Sequence, residues 1–143
     1  MTPRRPLLLL LGAASVLVSG YGHYYLYFKG GYRDIAPDSL AGFTISRSFA
    51  INAIAGFVIA WALVVSLRFP KLAVPAALVG VGFAVATLAA YLLTRTVGLL
   101  GFEDDQLTIE AVVAFVAELV ALGALGSWLV GQRSLQRPVG RTA

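Results

Sequence analysis

The sequence contains no cysteine, only one histidine, and a single methionine, Met1. The absence of cysteine excludes disulfides, iron–sulfur clusters, thiolate metal sites and thiol catalysis. One histidine cannot supply both axial ligands of a haem, and histidine–methionine ligation would have to use Met1, so we expect no cofactor. There is also no glycine-rich phosphate loop, no nucleophile elbow and no zinc-protease helix. An enzyme is therefore not the expected function.

Charged residues are scarce as well: they make up 13% of the 143 residues, whereas hydrophobic residues make up 59% and the mean hydropathy is +0.83. A soluble domain of this length could not hide so much apolar surface, because small domains leave a large share of their surface in water. About 20 apolar residues span a bilayer core, and windows of this size predict helices at 6–28, 49–67, 72–93 and 108–130. We predict an all-α integral membrane four-helix bundle, with residues 1–143 in one domain.

Two features refine these predicted helices. Pro75 falls in the first turn of the third helix, where a missing N–H costs no intrahelical hydrogen bond. The second helix could begin earlier, near Leu40, because apolar residues surround Arg47, whose side chain would then reach the membrane interface. The connection at 68–71 is too short for anything but a tight turn. The second and third helices are therefore predicted to be antiparallel neighbours.

The N-terminal segment allows a second interpretation, as a secretory signal. Arg4 and Arg5 precede a leucine run, and a small Ser19-Gly20 pair follows it, a pattern typical of signal peptides. The apolar and aromatic stretch nevertheless continues to Phe28, which makes it long enough to span a membrane. We therefore favour a first transmembrane helix.

The basic residues are distributed unequally between the two sides of the predicted bundle. Seven lie on the side of both termini: Arg4, Arg5, Arg68, Lys71, Arg133, Arg137 and Arg141. Four lie on the opposite side: Lys29, Arg33, Arg47 and Arg95. The opposite side also carries the loop acids Asp34, Asp38, Glu103, Asp104 and Asp105. By the positive-inside rule, both termini are predicted to be cytoplasmic, with the protein in the plasma (inner) membrane.

Small residues recur at four-residue spacing in three of the predicted helices. They are Asn52, Gly56 and Ala60; Ala76, Gly80 and Ala84; and Gly123 and Ser127. Small side chains let helix backbones approach within a membrane, so these stripes are interpreted as the bundle interior, with a self-association face as the alternative. Trp61 and Trp128 are interpreted as anchors at the membrane interface, where tryptophan is enriched.

Glu118 is the clearest candidate for chemistry, because it lies near the middle of the fourth helix and ionisable groups within a membrane are costly. Glu110 lies two turns earlier, displaced by about 80° around the helix, so both carboxyl groups could face one interior surface. One role for Glu118 is a proton, cation or polar-ligand site, and the other is a structural hydrogen bond to a neighbouring helix. Glu110 could also simply complement the dipole at the start of its helix.

Four further polar residues fall near the outer ends of the predicted helices: His23, Asn52, Tyr91 and Arg95. Short connections would bring them together with Glu110 and Glu118 around a cavity, which we predict as a proton or ligand site. Two of them also have simpler roles. His23 could be an interfacial histidine with its hydrogen bonds satisfied, and Arg95 could form a salt bridge with Glu110 or Glu103. No metal-ligand spacing accompanies His23, so no metal site is predicted.

Two stretches of the chain resemble a known group of proteins. They are His23-Tyr24-Tyr25-Leu26-Tyr27 leading to Gly30-Gly31-Tyr32-Arg33-Asp34-Ile35, and the run from Tyr91 to Phe102, which leads into an acidic segment. These stretches resemble small four-span membrane proteins of actinobacterial type, and the likeness extends over most of the chain. That group has no assigned activity. The resemblance therefore implies the four-span topology and points to the outer loops, without implying a function or a catalytic residue.

These observations leave two main functions open, besides a membrane enzyme or redox subunit that would handle a lipid or quinone at the outer leaflet beside His23 and Tyr91. The first is a protein that acts by association, as an accessory subunit of a membrane complex or as a small homo-oligomer, because the chain has no catalytic motif and no soluble domain. The second is a small transporter or ligand-binding protein that uses the outer cavity and Glu118. The expected partners are the lipid bilayer and a membrane protein or a second copy of the chain. Nucleic acid is not expected, since the basic residues flank membrane helices.

Overall fold

Four long α-helices make up most of the protein. The computed structural model describes residues 4–35, 43–104 and 107–135. The helices are α1 (Arg4–Lys29), α2 (Ile45–Ser66), α3 (Ala73–Thr96) and α4 (Ile109–Leu135), and two 3₁₀ turns, Tyr32–Asp34 and Pro70–Leu72, lie between them. All four helices are long and apolar enough to cross a membrane, and the described ranges contain no strand. The predicted all-α fold with four membrane-length helices is confirmed.

The helix ends depart from the predicted ones by a few residues. α2 begins at Ile45 rather than at residue 49 because Thr44 caps it: the Thr44 Oγ1 accepts a hydrogen bond of 3.1 Å from the backbone N–H of Arg47. Pro75 lies in the first turn of α3, as predicted. α3 and α4 both end later than predicted, since no proline falls between the predicted and the observed C-terminal ends.

The helices pack in a ring in which each contacts its neighbours in sequence and α4 closes the ring against α1. The largest contacts are those of α1 with α2 and α4, whereas α1 and α3 barely touch across the centre. α2 and α3 are joined by the short segment 67–72 and are neighbours, as predicted. We call the end of the bundle at 67–72 the turn end. The loop end carries residues 30–35 and 97–104.

Glycine lets α1 approach its neighbours closely. A Cβ atom at Gly56 would lie 2.6 Å from the Cα of Gly20, so the backbones of α1 and α2 touch there. Further along α1, the Leu125 side chain of α4 fills the space beside Gly12 and Gly80. Leu125 is fully buried, and a Cβ atom at either of these two glycines would overlap it. We call these five residues the glycine contacts.

The predicted interior stripes are right for α2 and α3 and wrong for α4. In α2 and α3 the buried members are Gly56, Ala60, Ala76, Gly80 and Ala84. In α4, Gly123 and Ser127 are exposed, and a Cβ atom at Gly123 would meet nothing within 4 Å. The buried face of α4 instead carries Ala114, Ala117, Ala121 and Ala124. Alanine also permits close packing, so glycine does not by itself mark the interior.

The two tryptophans occupy different environments. Trp61 is 70% exposed, which fits the interpretation of this side chain as an anchor in the membrane. Trp128 is only 4% exposed and packs in the apolar core. The interpretation of Trp128 as an interfacial anchor is therefore wrong. Its spacing from Ala121 and Leu125 places it on the same inward face of α4.

Candidate functional site

A cavity of about 70 Å³ lies between the helices at the loop end. This volume is enough for several water molecules. All four helices and the segment 97–104 contribute to its wall, and we call it the loop-end cavity. Its lining residues are His23, Leu26, Tyr32, Ile45, Ser48, Phe49, Asn52, Ala90, Tyr91, Thr94, Phe102, Asp104, Ala111, Ala114, Phe115 and Glu118.

Glu118 is the most deeply buried charged residue on this wall, at 3% exposure. Its Oε1 accepts a hydrogen bond of 2.7 Å from the hydroxyl of Ser19, which is itself fully buried on α1. The Thr87 hydroxyl of α3, which donates to the Phe83 and Ala84 carbonyls of its own helix, lies beside the same carboxyl group. A carboxyl group removed from water needs a hydrogen-bond partner, and Ser19 supplies it. Glu118 thus makes the interhelical hydrogen bond that was one of its two expected roles, and its place on the cavity wall keeps the other role open.

His23 lies one turn after Ser19 on α1, and its Nδ1 is 2.9 Å from the Ser19 carbonyl oxygen. A carbonyl oxygen only accepts hydrogen bonds, so Nδ1 donates, and in a neutral imidazole Nε2 is left as an acceptor. The ring lies between Phe49 and Phe83, at centroid distances of 5.3 and 6.5 Å. Ser19 therefore orients two side chains: His23 through its carbonyl group and Glu118 through its hydroxyl.

Three polar side chains form a network at the outer rim of the cavity, which we call the rim network: Tyr32, Arg95 and Asp104. The Oδ2 of Asp104 accepts a hydrogen bond of 2.9 Å from the Tyr32 hydroxyl and lies 3.6 Å from an Nη atom of Arg95. The Arg95 guanidinium also lies over the Tyr91 ring, 5.2 Å from its centroid, which is a cation–π geometry. The rim network joins α3 to both segments of the loop end.

The backbone of 97–104 holds Asp104 in place. The Asp104 N–H donates to a backbone carbonyl of α3 at 3.0 Å. Leu99 and Phe102 exchange backbone hydrogen bonds of 2.9 and 3.0 Å. Between them, Leu100 has φ of 52° and Gly101 has φ of 72°, as in tight hairpin turns. A leucine rarely adopts a positive φ, so the turn carries backbone strain at Leu100.

Four of the six predicted site residues line the loop-end cavity: His23, Asn52, Tyr91 and Glu118. Arg95 adjoins the cavity through the rim network. Glu110 is half-buried but is not a lining residue, because its displacement of about 80° around α4 turns it away from the direction of Glu118. The acidic partner that the structure shows for Arg95 is Asp104, rather than the expected Glu110 or Glu103. The hairpin turn directs Asp104 inward and leaves Glu103 exposed.

Three residues of the site were not among the predicted site residues: Ser19, Tyr32 and Asp104. Ser19 could have been found from its spacing, because it lies one turn before His23 on a largely apolar helix. Tyr32 and Asp104 are 72 residues apart, and no local pattern predicts that contact. Both stretches that carry the resemblance, 23–35 and 91–102, contribute to the wall of the cavity.

Comparison of the chain with protein-family models, with curated proteins and with solved structures gave no match. The described residues contain no group of three or more His, Asp or Glu side chains placed to hold a metal ion. The wall of the loop-end cavity combines two carboxyl groups, Glu118 and Asp104, with several aromatic faces. Such a wall can accept hydrogen bonds from a ligand and attract positive charge.

Proposed function

We propose that this protein is a multi-pass protein of the plasma membrane that binds a small cation or a proton-donating solute in the loop-end cavity. The proposal rests on the position of Glu118, a buried carboxyl group on the wall of a polar cavity. A carboxyl group that only joined helices would need no adjoining space, since the Ser19 hydroxyl already reaches it. Carboxyl groups that face cavities inside membranes mark ion and proton paths.

The charges on the wall favour a cation over an anion. Asp104 has the guanidinium of Arg95 at 3.6 Å, whereas Glu118 has no salt-bridge partner among the described residues. The aromatic face of Tyr91 already interacts with one cation, the guanidinium of Arg95. Other rings on the wall can attract a cation in the same way. A volume of about 70 Å³ limits the ligand to a few water-sized groups. A small inorganic cation, an ammonium-type cation or a protonated water cluster meets these conditions.

The lack of native cysteine makes the cavity directly testable, since an introduced thiol is the only one present. Asn52→Cys places it on the cavity wall, and Ile54→Cys, at a site 65% exposed on the outer face of α2, is the matched control. We expect the cationic aminoethyl methanethiosulfonate to modify Asn52→Cys about tenfold faster than the anionic sulfonatoethyl reagent, because Glu118 attracts positive charge. Adding Glu118→Gln should remove this preference. Equal rates for the two reagents at Asn52→Cys would contradict the proposal.

Transport through the same cavity is a stronger version of this proposal. It requires that purified protein in liposomes carry a proton- or ion-dependent flux, and that Glu118→Gln abolish that flux. If the Glu118→Gln variant carries the same flux as the wild type, or if the wild type carries none, the function is restricted to binding.

We also propose that the helices alternate in direction and that both termini are cytoplasmic. The order of contacts between α1 and α4 supports alternation: Gly12 with Leu125, Ser19 with Glu118, and Gly22 with Ala114. The distribution of basic residues, seven against four, supports the orientation. Single cysteines test it at Val97 and Phe69, which are both exposed. An impermeant maleimide should label Val97→Cys on intact cells and Phe69→Cys only after permeabilisation; the reverse pattern would invert the topology.

Association is the second candidate function, with the protein as an accessory subunit or a small homo-oligomer. The outer face of α4 favours it, because a Cβ atom at Gly123 or Gly126 would meet nothing within 4 Å. Small residues on a lipid-facing helix allow another helix to approach closely. Native mass spectrometry from membranes measures this directly. A strictly monomeric protein without a copurifying membrane partner would rule association out.

A further inference from the structure

A second pocket, of about 250 Å³, opens at the turn end, away from the loop-end cavity. Its lining residues include Pro6, Leu9, Ser66, Ala73, Trp128 and Gln132, and most of the wall is apolar. For comparison, an apolar cavity of about 150 Å³ holds a benzene molecule. This turn-end pocket therefore has room for part of a hydrocarbon chain.

Trp128 lines the turn-end pocket and carries a buried hydrogen-bond donor. The side chain is 4% exposed, and its indole Nε1 has no hydrogen-bond partner among the described residues. The nearby Ser66 hydroxyl donates to the Leu63 carbonyl within its own helix at 2.6 Å and does not accept from Trp128. A buried donor without an acceptor costs free energy, and a buried tryptophan N–H usually has a partner. An acceptor oxygen brought by a ligand would satisfy this group.

Two basic residues adjoin the turn-end pocket along the chain. Arg68 and Lys71 directly follow two lining residues, Leu67 and Pro70, and both basic side chains are exposed. No acidic residue occurs in the segments 4–30, 43–102 and 119–135, so the described part of the turn end carries no negative charge to balance them. Exposed basic side chains at the end of a membrane helix attract anionic lipids.

From these three features we infer that the turn-end pocket binds an anionic phospholipid of the surrounding bilayer. One acyl chain lies in the apolar pocket, an ester or phosphate oxygen accepts the hydrogen bond of Trp128 Nε1, and the headgroup lies near Arg68 and Lys71. A phospholipid supplies the apolar chain, the acceptor oxygen and the negative charge in one molecule, whereas a soluble anion would leave the apolar wall uncovered. The inference does not depend on the ligand proposed for the loop-end cavity.

The fluorescence of Trp128 can be used to detect this lipid. The chain has two tryptophans, so Trp61→Phe, a change at a site 70% exposed, leaves Trp128 as the only one. The full-length variant is placed in phosphatidylcholine nanodiscs, and either phosphatidylglycerol or phosphatidylcholine with brominated acyl chains is titrated in. Bromine quenches tryptophan fluorescence at close range. We expect brominated phosphatidylglycerol to reach half-maximal quenching at a mole fraction about fivefold lower than brominated phosphatidylcholine.

Two double variants distinguish a specific lipid site from general attraction of anionic lipids to basic residues at the protein surface. Arg68→Gln with Lys71→Gln should bring the two quenching curves closer together. Lys29→Gln with Arg33→Gln, which changes exposed basic residues at the loop end, should leave their separation unaltered. Trp128→Phe leaves Trp61, which should be quenched equally by both lipids. Coincident curves for Trp128 in the unaltered background, no quenching by either lipid, or the same loss of preference in both charge variants would overturn the inference.

Discussion

The glycine contacts and the loop-end cavity differ in what occupies the space between the helices. At the glycine contacts the helices meet backbone to backbone or around a single leucine side chain. At the loop-end cavity, aromatic and polar side chains line an open volume of about 70 Å³. Because lipid supplies no hydrophobic drive for helix association, close packing at one level must stabilise the open space at the other. Stability and ligand binding should therefore respond to different substitutions.

The largest expected effect is on the glycine contacts. Gly56→Leu forces a side chain against the backbone of α1 at Gly20, and should lower the free energy of unfolding in detergent by about 3 kcal/mol or more. Gly123→Leu is the matched control, because its Cβ atom meets nothing within 4 Å, and it should not lower the free energy of unfolding. Equal destabilisation by both would mean that the helices do not meet at Gly56.

A smaller loss of stability is expected at the wall of the loop-end cavity, where one hydrogen bond joins α1 to Glu118. Ser19→Ala removes the donor to Glu118 and should cost about 2 kcal/mol, because the buried carboxyl group loses a partner. Ser66 is also buried, but its hydroxyl makes a hydrogen bond only within its own helix. Ser66→Ala should therefore lower the free energy of unfolding by less than about 0.5 kcal/mol. Chemical denaturation in mixed micelles measures both. Similar costs would show that the Ser19 hydrogen bond adds no interhelical stability.

The rim network should affect the loop end and leave the rest of the bundle intact. Asp104→Asn can still accept from Tyr32 but loses the charge that faces Arg95. We expect amide exchange at Leu99 and Phe102 to rise roughly fivefold through local opening, with little change in α4. Glu103→Gln, at an exposed site, is the control and should leave exchange unaltered. Faster exchange throughout the bundle would show that the rim network supports more than the loop end.

The smallest expected effect is a gain in stability at the hairpin turn. Leu100→Asn places a residue that tolerates positive φ before Gly101, and should stabilise the turn by about 0.5 kcal/mol. Leu100→Ala keeps the unfavourable backbone angle and should bring no gain. Thermal unfolding followed by circular dichroism compares the two variants. A gain with alanine as large as with asparagine would assign the effect to the lost leucine side chain.

The residues that sequence reasoning placed correctly share a local signal. His23, Asn52 and Glu118 stand out because each is polar within an apolar helix, and apolar surroundings in a membrane favour burial of such groups toward a cavity. In the sequence, Asp104 was only one of several loop acids. It pairs with Arg95 because a hairpin turn with positive φ places it there. That turn has a leucine at the position where asparagine or glycine would have predicted it.

Sequence alone determined the four helices, since hydropathy and helix length are local properties that each segment carries without its neighbours. Only the tertiary structure decided which face of each helix is buried. In α4, Trp128 turned inward and Gly123 outward, because every face of a membrane helix is apolar and periodicity gives little guidance. The loop-end cavity and the turn-end pocket likewise arise where side chains from distant segments meet. The distances between those side chains follow from the packing of the helices.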